Sequence, residues 1–343
     1  MPESSTALRL PVPGTVARAP ATVSHGLLGI RRLRFHHDGR QERVVIAWRL
    51  VGPPGAPVVA ALGGISAGRE VCDPCNPALG WWREIAGPGL PLDTDRYAVL
   101  AIDWLGGPGA STSPAPGQED FPAVDARDQA AALLAVCDRL GIRRLHAAAG
   151  ASYGGMVALA LAETAPARVG TVLAISAAHR ANALATGWRS IQRAIVRHGL
   201  ALGDGTGALA LARALAMTTY RTRAEFERRF PTGPAHEPSG IEQYLLARGA
   251  AYAGATRPES FLCLSDSIDR HRVDPARIGV PAHLVAIAED QLVTPVEVRE
   301  LAARLAGPVV LHELHSEFGH DAFLKERSLL APAFRAALEG ETK

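Results

Sequence analysis

Gly150-Ala151-Ser152-Tyr153-Gly154 is the stretch of this chain best suited to bond-making chemistry. It fits Gly-x-Ser-x-Gly, with an apolar run before it and a helix-forming segment, 155–163, after it. A serine on so sharp a strand-to-helix turn sits in strained backbone, and its neighbours must be small because larger ones would strike the adjoining strand and helix. Ser152 then projects toward a substrate. Near neutral pH a free hydroxyl is a poor nucleophile, so an imidazole must take its proton and a carboxylate must hold that ring in the right tautomer.

Both partners stand in the order Ser, Asp, His along the chain. Asp290 follows a β-prone run at 283–288, and His320 follows the last such run, at 309–314. Glu289 is the weaker acid because it lies directly at the strand end, and His312 and His315 are less well placed than His320. The tetrahedral intermediate of acyl transfer also needs an oxyanion hole. Its candidates are the backbone N–H groups of Tyr153 and Leu62, with Gly63 and Gly64 letting the second loop approach closely.

These loops need a scaffold. Short β-prone runs at 58–62, 97–103, 145–149, 171–175, 283–288 and 309–314 alternate with helical patterns, which predicts a mostly parallel sheet covered by helices. Runs that are apolar on both faces agree with helices on either side. Segments 33–35 and 43–50 are candidates for antiparallel edge strands. A helix over 126–140 ends at Gly141, where a left-handed cap favours glycine. Between 175 and 283 the β pattern gives way to Ala, Leu and Arg-rich helical stretches such as 181–198 and 208–220, so a helical cap over 179–279 is expected. The sheet core is expected over 25–178 and 280–343, and 1–24 reads as a flexible leader.

Composition narrows the classes. At 343 residues and 48% hydrophobic content the chain can bury a large core. Lysine and arginine total 36 against 34 acids, with no long basic run, so nucleic acid is not an expected partner. The apolar stretch at 144–165 is broken by Gly, Ser and charge, so no membrane span is expected, and 1–24 lacks the apolar block of a signal peptide. Cys72 and Cys75 form a CxxC with no second pair to complete a zinc site, so no metal is expected. Cys137 and Cys263 read as helical core thiols, and a cytoplasmic location follows from the absence of any need for disulfides.

To this point esterase, peptidase and acyltransferase are equivalent. Further motifs separate them: Gly80-Trp81-Trp82, Gly87-Pro88-Gly89, Leu92-Asp93-Thr94-Asp95-Arg96-Tyr97, Leu105-Gly106-Gly107, Ser111-Thr112, Gly154-Gly155-Met156, Thr219-Tyr220 and Gly319-His320-Asp321-Ala322-Phe323. Across 62–324 the chain resembles the homoserine O-acyltransferases of methionine biosynthesis, the MetX type of the α/β-hydrolase superfamily. The resemblance implies an α/β-hydrolase fold with an inserted helical cap and a ping-pong transfer from acyl-CoA, through acyl-Ser152, to L-homoserine. It implies Arg193 for the acceptor carboxylate, Asp321 for its ammonium group and Tyr220 as a hydrogen-bonding wall. It also implies acyl-CoA as a co-substrate with no permanently bound cofactor, and a homodimer.

The chain departs from that pattern at Ala60-Ala61-Leu62-Gly63-Gly64, where the family usually has His-Ala-Leu-Thr-Gly, and at Pro108, where cysteine is common. Succinyl-CoA is the narrowly preferred donor and acetyl-CoA the alternative; a succinyl group needs a cation for its distal carboxylate, and the sequence does not say which cap arginine points inward. Serine as acceptor, ester hydrolysis by the same triad, and a catalytically silent binding protein are the competing readings.

Overall fold

The computed structural model describes residues 21–231 and 240–340. Apolar and β-branched runs extend as eight strands of one sheet: β1 (Thr22–Arg34), β2 (Gln41–Gly52), β3 (Val58–Leu62), β4 (Ala98–Ile102), β5 (Leu145–Ala151), β6 (Val169–Ile175), β7 (Ala282–Ile287) and β8 (Val309–Leu314). In these labels they pair in the order β1-β2-β4-β3-β5-β6-β7-β8. The β1–β2 and β2–β4 pairs are antiparallel and every other pair is parallel.

The expected edge strands are present, but the first is much longer than 33–35. β1 begins at Thr22, so residues 22–24 of the expected leader lie in a strand, while 1–20 fall outside the described residues. Most of β1 is exposed, and its register is held by the ladder to β2, from Thr22↔Gly52 onward. Leu28 and Ile30 pack against the first core and Leu33 enters it, but a register shift between Ile30 and Leu33 breaks the period of that inward face, so alternation in its sequence is a poor guide.

Consecutive side chains of a strand face opposite sides. Ala60, Leu62, Leu100 and Ile102 therefore enter one core with Leu133, Val136, Val157 and Leu161, whereas Val59, Ala61, Val99 and Ala101 enter another with Trp82, Leu330 and Phe334. The first core is covered by α1 (Ala126–Arg139) and α2 (Tyr153–Thr164). Asp125 caps α1 in a reciprocal box with Asp128, which satisfies amides that have no intrahelical acceptor.

Between β6 and β7 the described residues hold five α-helices: α3 (Ala183–Ala201), α4 (Gly205–Tyr220), α5 (Arg223–Arg229), α6 (Gly240–Ala255) and α7 (Pro258–Arg270). α3, α4 and α7 share a small core of Val196, Leu209, Ala212 and Phe261. The α4–α6 crossing is close, because a methyl on Gly249 would stand 2.2 Å from the Ala210 carbonyl oxygen. After β7 come α8 (Pro295–Arg304), α9 (Ala322–Lys325) and α10 (Arg327–Glu339), the last supplying Leu330 and Phe334 to the second core.

Candidate active site

The site lies at the C-terminal ends of the parallel strands, the usual place for a ligand in an open α/β sheet. β5 ends at Ala151 and α2 begins at Tyr153, so Ser152 makes the whole turn, with φ 54° and ψ −121°. Such backbone costs a non-glycine residue on the order of 1–3 kcal/mol and persists only where packing dictates it. Packing does so here: a methyl on Gly150 would fall 2.1 Å from the Gly154 carbonyl oxygen, and one on Gly154 would fall 2.1 Å from that of Leu62. The Ser152 amide is fixed by the Ile175 carbonyl at 2.9 Å.

His320 Nε2 lies 2.8 Å from Ser152 Oγ, and its Nδ1 lies 2.7 Å from Asp290 Oδ2. The other Asp290 oxygen accepts the Leu292 and Val293 amides at 2.8 and 3.0 Å, so the carboxylate cannot swing away. Both groups are buried. Burial disfavours the charged imidazole, but the charge and hydrogen bond of Asp290 outweigh it and hold His320 above the ordinary value of 6.5. Glu289 points elsewhere, accepting from the Ser316 amide at 2.8 Å and pairing with the exposed His315. His312 stacks on His283, away from this relay.

Leu62 closes β3 and Tyr153 opens α2, and the two segments meet where Gly154 touches the Leu62 carbonyl. The first amides of a helix have no intrahelical acceptor, which leaves the Tyr153 N–H free of the helix ladder. Its side chain is wholly buried, with the phenol 2.6 Å from Ser267 Oγ of α7 and 3.3 Å from Gln129, so it ties the helices above the sheet to the elbow. The Trp-Trp loop has a structural task as well. Trp82 Nε1 donates to the Phe323 carbonyl at 2.8 Å and so pins the segment carrying His320, and Trp81 stacks on Trp82.

A cavity of about 240 Å³ opens over Ser152 and His320. Tyr220 and Asp321 line it. Asp321 Oδ2 is held by Arg221 Nε at 2.7 Å, and the Tyr220 ring lies 6.1 Å from that of His320. Arg193 does not line the cavity. It sits behind the wall, 7% exposed, bound to Asp269 at 2.6 Å and to the Ser265 carbonyl at 3.1 Å. The arginines that do line it are Arg180, Arg189 and Arg213. Arg213 donates to the Tyr220 hydroxyl at 3.2 Å, one helix presenting both side chains. The sequence held a signal for this: seven residues separate Arg213 from Tyr220, close to two turns of α4 and hence one face. For Arg189 no such signal exists, since Arg193 is one turn away on the same helix.

Among the described residues no group of three or more His, Cys, Asp or Glu could hold a metal, and the four cysteines are unpaired. No helix of the described residues is long and apolar enough to cross a membrane.

A serine, an aspartate and a histidine carried on the turns and loops that follow strands of this sheet define a serine-nucleophile acyl-transfer scaffold. Residues 62–326 match the family described as alpha/beta hydrolase fold. The chain is 39% identical over 337 residues to a homoserine O-succinyltransferase of Xanthomonas campestris pv. campestris, covering 96% of this chain and 88% of that protein. It is 32% identical over 361 residues to a homoserine O-acetyltransferase of Mycolicibacterium smegmatis, covering 93% and 94%. Among solved structures, esterase E22 superposes with a TM-score of 0.83 at 21% identity, covering 92% of this chain and all of that one. The chain belongs to the α/β-hydrolase fold family and, within it, to the homoserine O-acyltransferases.

Proposed function

We propose that this protein is an acyl-CoA:L-homoserine O-acyltransferase of methionine biosynthesis, acting through an acyl ester of Ser152. One observation carries the reading: the Ser152–His320–Asp290 relay, at 2.8 and 2.7 Å, opens onto a cavity whose wall presents Arg213, Tyr220 and Asp321 together. His320 takes the Ser152 proton as Oγ attacks the thioester carbonyl. The oxyanion is received by the Tyr153 and Leu62 amides. Collapse expels the CoA thiolate, which takes the proton from His320 and leaves acyl-Ser152. The homoserine hydroxyl then gives its proton to His320 and attacks the ester, and Ser152 recovers a proton as it leaves.

Water would hydrolyse that ester, and a held acceptor wins by orientation; effective molarities for well-placed groups reach about 10⁵ M or more. A guanidinium suits the acceptor carboxylate and a carboxylate suits its ammonium group, which assigns Arg213 to the first and Asp321 to the second, with Tyr220 steadying Arg213. This replaces Arg193, whose guanidinium is already committed to Asp269 and Ser265. Acyl-CoA is a co-substrate and no permanent cofactor is required. Succinyl-CoA is favoured over acetyl-CoA, in line with the higher identity to the relative named for succinyl transfer.

The protein is also assigned to the cytoplasm as a homodimer joined through the cap, where Leu184, Ile191 and Leu202 of the α3 region are exposed. Light scattering checks the dimer. For the reaction, CoA release is followed with acetyl-CoA or succinyl-CoA, each with homoserine, serine or no acceptor. Homoserine-dependent release is expected. A rate that ignores the acceptor would instead mark a thioester or ester hydrolase, and faster turnover with serine would reassign the acceptor.

A further inference from the structure

We infer that the hydrogen bond between Tyr153 and Ser267 shuts water out from the acyl ester of Ser152, so that these two positioning residues set the balance between transfer and hydrolysis; the inference rests on the acyl-transfer reading above. Helix α7 has two distinct faces. Phe261, Ser265 and Ile268, spaced by four and three residues, share one side and line the cavity. Ser260 and Ser267, seven residues and so close to two turns apart, share another and are wholly buried. That second face rests on the sheet core: the Ser260 hydroxyl donates to the Gly107 carbonyl at 3.3 Å, and Ser267 Oγ lies 2.6 Å from the Tyr153 phenol. The approach is close, because a methyl on Gly106 would stand 2.5 Å from Cys263 Sγ.

Buried hydroxyls cost stability unless paired, and methyl groups in the same places would pack as well. What the hydroxyls add is direction: an apolar seat lets a helix slide or roll, whereas a satisfied hydrogen bond fixes its rotation. A roll of α7 would turn Phe261, Ser265 and Ile268 away from the cavity and part its wall. The Tyr153 end of the bond is fixed in turn. Gln129 Nε2 donates to the phenol at 3.3 Å, and the same amide group is clamped to both polar groups of the Leu105 backbone, at 2.8 and 3.0 Å. The Tyr153 ring meets Trp104 edge-on at 5.2 Å, and Trp104 Nε1 holds the Gly64 carbonyl at 3.0 Å. One side chain therefore joins the cavity wall to both segments that receive the oxyanion in the proposed reaction. Burial pushes the phenol above its ordinary value of 10.0, so the bond keeps its proton at any working pH.

In the reaction to be prevented, water gives a proton to His320 as its oxygen attacks the acyl carbon. The bond from that carbon to Ser152 Oγ breaks, Oγ takes the proton back and the free acid leaves. Losing a buried bond and stranding its partner raises the population of unseated α7 by about tenfold. The test measures CoA release by the full chain from succinyl-CoA or acetyl-CoA, whichever wild type turns over faster, with saturating homoserine and with none. Ser267→Ala is expected to raise acceptor-independent release about tenfold and to leave homoserine-dependent release within about twofold. Tyr153→Phe should lower the ratio of transfer to hydrolysis as far, and the double variant no further, because each substitution removes the same bond. Val136→Ala loses packing two turns along α1 from Gln129 and should lower the thermal midpoint without moving the ratio. An unmoved ratio in Ser267→Ala overturns the inference, as do additive losses in the double variant or an equal shift in Val136→Ala.

A second measurement follows the intermediate itself. Enzyme acylated by the same donor and then freed of it should lose its acyl group to water about tenfold faster in Ser267→Ala than in wild type, as read by intact-mass spectrometry; equal decay overturns the inference. Wild-type CoA release that ignores homoserine from either donor sinks the acyl-transfer reading itself, and the inference with it. A homoserine-dependent wild type beside a Ser267→Ala that hydrolyses no faster sinks the inference alone.

Discussion

The two halves of this site are built on different principles. The sheet-borne half holds its groups by backbone: Ser152 stands at positive φ between two glycines that tolerate no side chain, and both oxygens of Asp290 are occupied. The cap-borne half holds its groups by charge, with Arg189 and Arg193 sharing Asp269 and Arg213 leaning on Tyr220. Backbone geometry cannot be retuned one residue at a time without disturbing the fold, whereas a charge can be moved by a single substitution. The contrast supports the proposed division, in which reactivity belongs to the sheet and, Asp321 apart, choice of substrate to the helices above it.

The hardest blow to the sheet half is Ser152→Ala, expected to lower homoserine-dependent CoA release by on the order of 10⁵-fold in a steady-state assay. Ser152→Gly should be equally inactive yet more stable by about 1 kcal/mol, because glycine accepts the φ of 54° without strain; thermal unfolding reads the difference. An inactive but destabilised glycine variant would break the claim that strain is stored at the elbow.

Next comes Asp290→Asn, with an expected loss of about 10³- to 10⁴-fold in kcat, since an amide stabilises the wrong tautomer of His320. Glu289→Gln should change kcat by less than about threefold, because its carboxylate serves Ser316 and His315. Comparable losses for the two would reassign the acid.

In the cap half the effects are smaller and fall on binding. Arg213→Met should raise homoserine KM by about ten- to a hundredfold while acyl-Ser152 still forms from acyl-CoA, as intact-mass spectrometry would show. Arg193→Met should leave that KM within about threefold of wild type and lower stability by about 1–3 kcal/mol, because it loses bonds to Ser265 and Asp269 behind the wall. A large KM effect at 193 and none at 213 would reverse the assignment.

The pH profile gives the smallest shift. Transfer needs neutral His320, so the rate falls as pH drops through its pKa, and the Asp290 carboxylate places that midpoint above 6.5. In Asp290→Asn the residual activity should show its acid limb at lower pH than wild type; an unmoved limb would mean that His320 is not the titrating base.

How much of this was legible beforehand differs between the same two halves. The Gly-x-Ser-x-Gly turn, the order Ser152, Asp290, His320 and the alternating β-prone runs were readable in the chain, because an elbow and a parallel sheet impose local requirements on residue size and hydrophobic spacing. The motifs also pointed to the acyltransferase family. Strand β1 was less legible, since most of it is exposed and a register shift between Ile30 and Leu33 interrupts the spacing of its inward apolar residues.

Which of the two α3 arginines faces the cavity lay beyond the sequence. Arg189 and Arg193 share one helix, one turn apart and one counter-ion, yet only the first lines the cavity. The sequence by itself determined the chemistry at Ser152, because a strained turn needs particular residues at particular positions. The tertiary structure alone decided which of these two cations faces the cavity, because a helix turns by about 100° per residue and what it faces is set by the packing of α3 against α4 and α7.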